Sequence, residues 1–104
     1  MIVLRIPVNG TPRVDKIGNK LEDLQACVGG YIEPCAPIQL RSKNIELLCN
    51  EDGILKGLDP NPNLFPFFFL GDMVAVGVGK EDFVSLNADQ YAFIMDWLEG
   101  LQDG

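Results

Sequence analysis

The sequence predicts an α+β domain with the element order β-α-β-β-β-α, a small, mostly antiparallel sheet carrying two helices. Three observations predict it. Apolar, β-branched runs at 1–8, 45–50 and 73–78 read as strands. Two stretches, 21–28 and 87–101, repeat apolar residues at helical spacing behind capping signals. The strands are separated by short turns rich in glycine and asparagine, which suit antiparallel neighbours; parallel strands need long crossovers. A chain of 104 residues fits one domain, 1–104, and folding hides roughly 65% of the unfolded surface of a chain this size, so one modest core is within reach.

The first strand covers 1–8 and is ended by Asn9-Gly10 and Pro12. A polar connector leads to Asn19, which with Glu22 makes a capping box for the first helix. Leu21, Leu24, Gln25 and Val28 fall at i, i+3, i+4 and i+7, so one face is mostly apolar. Gly29 ends the helix, because glycine enters the left-handed conformation without a steric penalty. Tyr31 to Ile38 then reads as extended, with Ile32 on one face and Tyr31 and Glu33 on the other. Pro34 and Pro37 cannot donate to a ladder, so this strand lies at an edge or carries a bulge. Arg41–Asn44 turn the chain into Ile45–Asn50, whose Ile45, Leu47 and Cys49 share a face.

Asn50-Glu51-Asp52-Gly53 is a tight-turn signature, and Ile54–Leu58 reads as short and extended. Asp59-Pro60-Asn61-Pro62-Asn63 is a rigid polar loop. After Gly71-Asp72, the run Met73–Val78 is apolar almost without interruption, which implies burial on both faces. Asn87 and Gln90 form the capping box of the last helix. Its residues Tyr91, Ile94, Met95 and Leu98 make one stripe, and Phe93, Trp97 and Leu101 a second beside it. Together they span more than the arc a surface helix normally buries. The helices are expected on one side of the sheet.

Composition narrows the function classes. A formal charge of −7 with scattered basic residues offers no cluster to displace counterions, so a nucleic-acid partner is not expected. The carboxylates are too dispersed for a phosphate-like array and read as a solvated surface. There is no histidine, which removes histidine-dependent triads and two-histidine metal centres. Cys27, Cys35 and Cys49 are odd in number and lack metal-like spacing, so free thiols in a reducing cytoplasm are expected, with no metal and no cofactor. The amino-terminal stretch is too short and too early in charge for a signal peptide, and no run reaches membrane-spanning length, so no membrane partner is expected.

Glycine-flanked polar residues are the candidate ligand-binding set: Gly30, Tyr31, Glu33, Asn50, Glu51, Asn61 and Asp72. Tyr31 offers a stacking ring and Glu33 an acceptor beside Gly29-Gly30, where backbone amides are open to approach. Each has an ordinary alternative. Tyr31 and Glu33 fit the solvent face of an edge strand, Asn50 and Asn61 fit turn duty, and Asp52 and Asp72 fit turn positions. No residue is assigned as catalytic. A hydrolase reading would need Glu33, Glu51 and Asp72 to converge. Phe65, Phe67, Phe68 and Phe69 form an apolar run that a monomer seldom exposes; with Phe93 and Trp97 they are the candidate interface, with core packing or the lip of an apolar pocket as the alternatives.

The residues Leu21-Glu22-Asp23-Leu24-Gln25, Val28-Gly29-Gly30-Tyr31-Ile32-Glu33, Asn50-Glu51-Asp52-Gly53, Gly57-Leu58, Asn61 and Gly71-Asp72, with the opening Leu4-Arg5-Ile6-Pro7-Val8, together resemble a domain-of-unknown-function family. Its members are small proteins or modules of bacteriophages, plasmids and gut-type bacteria, and the likeness runs over most of the chain. Asp59 departs from it, since the family usually carries proline there. The resemblance implies a phage or mobile-element setting and no established reaction. Two functions are expected from the whole. One is a non-enzymatic homo-oligomeric binder that sequesters a small polar ligand, of the kind of a nucleotide-derived defence signal. The other is a protein-interaction module, an acidic inhibitor or adaptor of a host protein.

Overall fold

The computed structural model describes residues 1–103. Its centre is an antiparallel six-stranded sheet. The elements run β1 (Ile2–Ile6), β2 (Arg13–Lys16), α1 (Leu21–Val28), β3 (Ile32–Pro34), α2 (Ile38–Arg41), β4 (Ile45–Asn50), a 3-10 turn (Pro62–Leu64), β5 (Met73–Val78), β6 (Phe83–Val84) and α3 (Ala88–Asp103). The strand order is β2-β1-β5-β4-β3, with β6 also paired to β5. The α+β class and the antiparallel sheet with two long helices agree with the pattern read from sequence.

The near-continuous apolarity of β5 has the predicted cause. Met73 and Ala75 belong to one buried cluster with Leu4, Ile6, Leu47, Leu64, Ile94 and Leu98. Val74 and Val76 belong to a second, with Val3, Leu24, Cys27, Val28 and Leu48. Alternation along each strand sends consecutive residues to opposite faces, so α3 covers one face and α1 the other. The expectation of helices on one side is corrected here. A helix on one face alone would leave Val74, Val76 and Leu48 in water.

Local differences have equally plain causes. The residues 13–16, expected as connector, are an edge strand whose pairing with β1 rests on backbone bonds and not on apolar side chains. The first helix starts a residue later than the Asn19–Glu22 spacing implies, because Asp23 accepts from the backbone N–H of Lys20 at 3.1 Å. It ends at Gly29, which is left-handed at φ 77°. The extended reading of 31–38 holds only to Cys35, whose N–H reaches Leu47 at 2.9 Å; beyond it, Ile38–Arg41 coil into α2. Residues 51–57 are turns, not a strand. The capping box of α3 forms as read, Gln90 N–H to Asn87 at 2.8 Å and Asn87 N–H to Gln90 at 3.0 Å.

Of the two readings the prolines leave, edge or bulge, β3 is an edge strand. Tyr31, Glu33 and Cys35 turn their backbone groups inward, as the bonds from Glu51 to Tyr31 and from Cys35 to Leu47 show. Ile32 and Pro34 therefore face outward, and Pro34 has no N–H to offer.

Candidate functional site

The register of β3 on β4 determines which polar side chains meet. Glu33 stands opposite Cys49 and Ile32 opposite Asn50. The flanking bonds extend the pairing to Tyr31 with Glu51 and Cys35 with Leu47. Glu33, Cys35 and Cys49 thus share the sheet face that α3 covers farther along. Where α3 stops covering it, a cleft of about 240 Å³ opens, lined by Glu33, Cys35, Cys49, Asn50, Glu51, Gly53, Ile54, Phe68, Phe69 and Leu70. One wall is apolar, the rim carries two carboxylates, and no lysine or arginine lines it.

Of the seven residues singled out for ligand binding, Glu33, Asn50 and Glu51 line this cleft. Asn50 is buried and its amide is already engaged: it donates to the carbonyl of Val28 at 3.1 Å and accepts from the N–H of Asp52 at 2.8 Å. Gly30 serves that contact. A methyl group there would meet the Asn50 amide nitrogen at 2.8 Å and the Lys56 ammonium at 2.9 Å. The close approach that the glycine permits is therefore internal. Tyr31 is exposed and does not line the cleft.

Asn61 and Asp72 lie elsewhere. Asn61 is buried, donating to Ile6 at 2.8 Å and Gly71 at 3.0 Å and accepting from Asn63 at 3.1 Å. Asp72 accepts from the N–H of Val8 at 2.8 Å and lines a separate depression with Arg5 and Arg13. Both asparagines do the turn work that was their ordinary alternative. The three carboxylates of the hydrolase reading do not gather in one cleft.

The phenylalanine run divides in two. Phe67 stacks on Phe69 with centroids 5.7 Å apart and tilts onto Trp97 at 5.6 Å. Phe69, Phe93 and Trp97 pack against the main core, which accounts for the second apolar stripe of α3. Phe65 and Phe68, in contrast, stand 71% and 75% exposed, and Ile54 and Leu55 reach 83% and 87%. A wider groove of about 570 Å³ lies by α1 and β6, lined by Met1, Asn19, Leu21, Leu24, Asp82, Phe83, Val84 and Ser85; none of the candidate ligand-binding or interface residues belongs to it.

The feature that sequence reasoning missed is the thiol pair. All three cysteines are free, with Cys27 buried and Cys35 and Cys49 half-buried. Cys35 and Cys49 sit diagonally across the β3–β4 pairing, where the Cys35 thiol donates to the carbonyl of Leu47 at 3.6 Å and the Cys49 thiol to that of Glu33 at 3.5 Å. The neighbouring Cys35 thiol holds the Cys49 thiol below its ordinary range, against the opposing effects of burial and of Glu33. Cys35 is pushed up in turn, first by the neighbouring Cys49 thiol and then by burial and the Cys49 and Glu46 charges. Burial pushes Cys27 up as well. The only signal for the pair in the sequence is the alternation of two adjacent strands, and it requires the register to be known.

With this geometry in view, the comparison with protein families is decisive for kinship. The model described as Domain of unknown function (DUF3846) matches residues 1–99. The chain belongs to the DUF3846 family. The match covers every strand and most of α3, so the cleft lies wholly within the DUF3846 domain. No curated protein and no solved structure matches the chain. No helix among the described residues is long and apolar enough to cross a membrane.

Proposed function

We propose that this DUF3846 domain is a non-enzymatic protein-interaction module whose β3–β4 cleft takes an apolar, basic segment of a partner protein. The carrying observation is the cleft's lining: Phe68, Phe69, Ile54 and Leu70 beside Glu33 and Glu51, without a lysine or arginine. Exposed aromatic and aliphatic side chains supply an anchor, and the carboxylate rim selects a cationic partner and disfavours anions. Of the two functions expected from sequence, this one fits the cleft better. A nucleotide-like anion would face two carboxylates, and the amides of Asn50 and Asn61 have internal partners.

The setting we propose is that of a phage or mobile-element accessory protein acting as an acidic inhibitor or adaptor in the host cytoplasm. The family resemblance supports the setting, and the free thiols suit a reducing compartment. Self-association through the same exposed rings is the competing use. A twofold interface would set the patch against its own copy, bringing Glu33 and Glu51 against like charges, so a basic partner suits the surface better than a second acidic copy.

The test is a titration of the labelled protein with a short peptide alternating leucine or phenylalanine with arginine, followed by backbone amide resonances. We expect shifts at Glu33, Cys49, Ile54 and Phe68, lost in Phe68→Ser. Equal binding of a peptide with glutamate in place of arginine would sink the reading. So would a rise in melting temperature with nucleotides and none with the peptide.

A further inference from the structure

The sheet ends on β2 at one side and on β3 at the other, and of these two strands only β2 is free of proline. We infer that β2 is a self-pairing edge, joined by a second copy of this chain running antiparallel to it about a twofold axis at Val14.

The backbone of β2 is open on its outer side. Met1 and Ile17 exchange bonds, the Met1 amine donating to the Ile17 carbonyl at 2.8 Å and the Ile17 N–H to the Met1 carbonyl at 2.9 Å. Bonded and non-bonded pairs alternate along an antiparallel ladder, so Asp15 and Arg13 turn their backbone groups to β1 while Val14 and Lys16 turn theirs outward. The Lys16 N–H agrees with this phase, since the Asp15 carboxylate takes it at 2.8 Å. The outward N–H and carbonyl of Val14 have no ladder partner among the described residues. Two copies of Val14 set opposite each other exchange both groups.

Charge selects that register. Arg5 and Arg13 stand directly opposite each other, an unfavourable pairing of like charges. Arg5 has Asp15 at 3.1 Å, whereas Arg13 has no carboxylate partner among the described residues. With the axis at Val14, Arg13 of each copy falls opposite Asp15 of the other, so the contact is self-complementary. An axis at Arg13, Asp15 or Lys16 would instead set like charges opposite each other. Arg5, Arg13 and Lys16 are three of the eight basic residues in the chain, so two acidic copies repel each other less at β2 than elsewhere.

Apolar surface adds to the contact. Ile2, Val14 and Tyr91 are exposed at this edge and border an apolar hollow of about 250 Å³ with Leu86 and Ala88. Val14 pairs with Leu4 and shares its face of the sheet, so both copies of Val14 lie on the α3 face and leave water together. Four residues of edge make a small interface, and the dimer is a weak, concentration-dependent one. The β3–β4 cleft, at the opposite edge, stays open in both copies.

A short charged strand behind Pro12 is also how an edge is kept unpaired, and sedimentation of the whole protein separates the two roles. Between about 10 μM and about 1 mM, in about 0.15 M salt to screen repulsion between acidic copies, wild type is expected to dimerise reversibly. Hydrogen exchange at the Val14 amide should slow over the same range, a readout that needs no variant. Val14→Pro, which removes an outward donor and no bond to β1, should keep the chain monomeric. Arg13→Asp and Asp15→Arg should each weaken dimerisation at least about 10-fold, and their equimolar mixture should restore it, because opposite charges again face each other. Phe68→Ser should leave it unchanged. A wild type monomeric throughout, undiminished dimer in Val14→Pro or Arg13→Asp, a mixture no stronger than its components, or loss of the dimer in Phe68→Ser overturns the inference.

Discussion

The side-chain amide of Asn61 donates to the backbone carbonyl of Ile6 at 2.8 Å, tying the loop before the phenylalanine run to the end of β1. Its second hydrogen goes to Gly71 at 3.0 Å, so one buried side chain serves two chain segments that would otherwise hide unpaired carbonyls. Asn61→Ala strands both acceptors. Each unsatisfied buried group costs about 1–3 kcal/mol, and the variant should lose about 2–4 kcal/mol in urea unfolding. A loss under about 0.5 kcal/mol would show that water replaces the amide there.

Gly30 and Asn50 are coupled by sterics. Gly30→Ala should destabilise by about 1–2 kcal/mol, since the added methyl meets the Asn50 amide at 2.8 Å. Asn50→Ala should destabilise as well, by freeing the Val28 carbonyl. The double variant should lose clearly less than the sum, because the truncated side chain no longer meets the methyl. Strict additivity in a double-mutant cycle would refute the contact.

Phe68 and Trp97 test the division of the aromatic residues. Trp97 is packed on Phe67 and the core, and Trp97→Ala should cost about 2–3 kcal/mol, somewhat below a fully buried aromatic. Phe68→Ala, at an exposed position, should change stability by less than about 0.5 kcal/mol. Equal losses in thermal unfolding would mean that Phe68 is covered in solution.

The reduced protein should react with iodoacetamide in a set order, Cys49 first. The thiolate is the nucleophile, and Cys49 alone among the three is held below the ordinary thiol range. Cys35→Ala removes the neighbouring thiol that lowers Cys49 and leaves burial and Glu33, which both push it up. Its alkylation at neutral pH should then slow, as read by mass spectrometry. Unchanged or faster labelling would show that Cys35 does not lower the Cys49 thiol.

The sequence made the central elements legible because their side chains carry the information. Val74, Val76, Met73 and Ala75 must all be apolar in a strand covered on both faces, and Leu24, Val28, Ile94 and Leu98 must recur at helical spacing. The polar strand β2 escaped because backbone pairing holds it, and backbone pairing leaves no mark on residue type. Part of the cleft was visible, since Glu33, Asn50 and Glu51 do come together. Its thiols were not, and its apolar wall was offered only as one of three readings of the phenylalanine run. Ile54 and Phe68 reach it from loops, and Cys35 meets Cys49 only through the register of two strands.

Pro34 limits how the sheet can grow. On the outer edge of β3, Ile32 supplies the only outward amide hydrogen, so an incoming strand would find a single donor where it needs a row. Edge-on polymerisation is therefore blocked on the side where the exposed phenylalanine and isoleucine side chains would otherwise promote it. A sticky surface can be kept open to a partner without seeding fibrils, and replacing Pro34 with valine should be the shortest route to an aggregating chain.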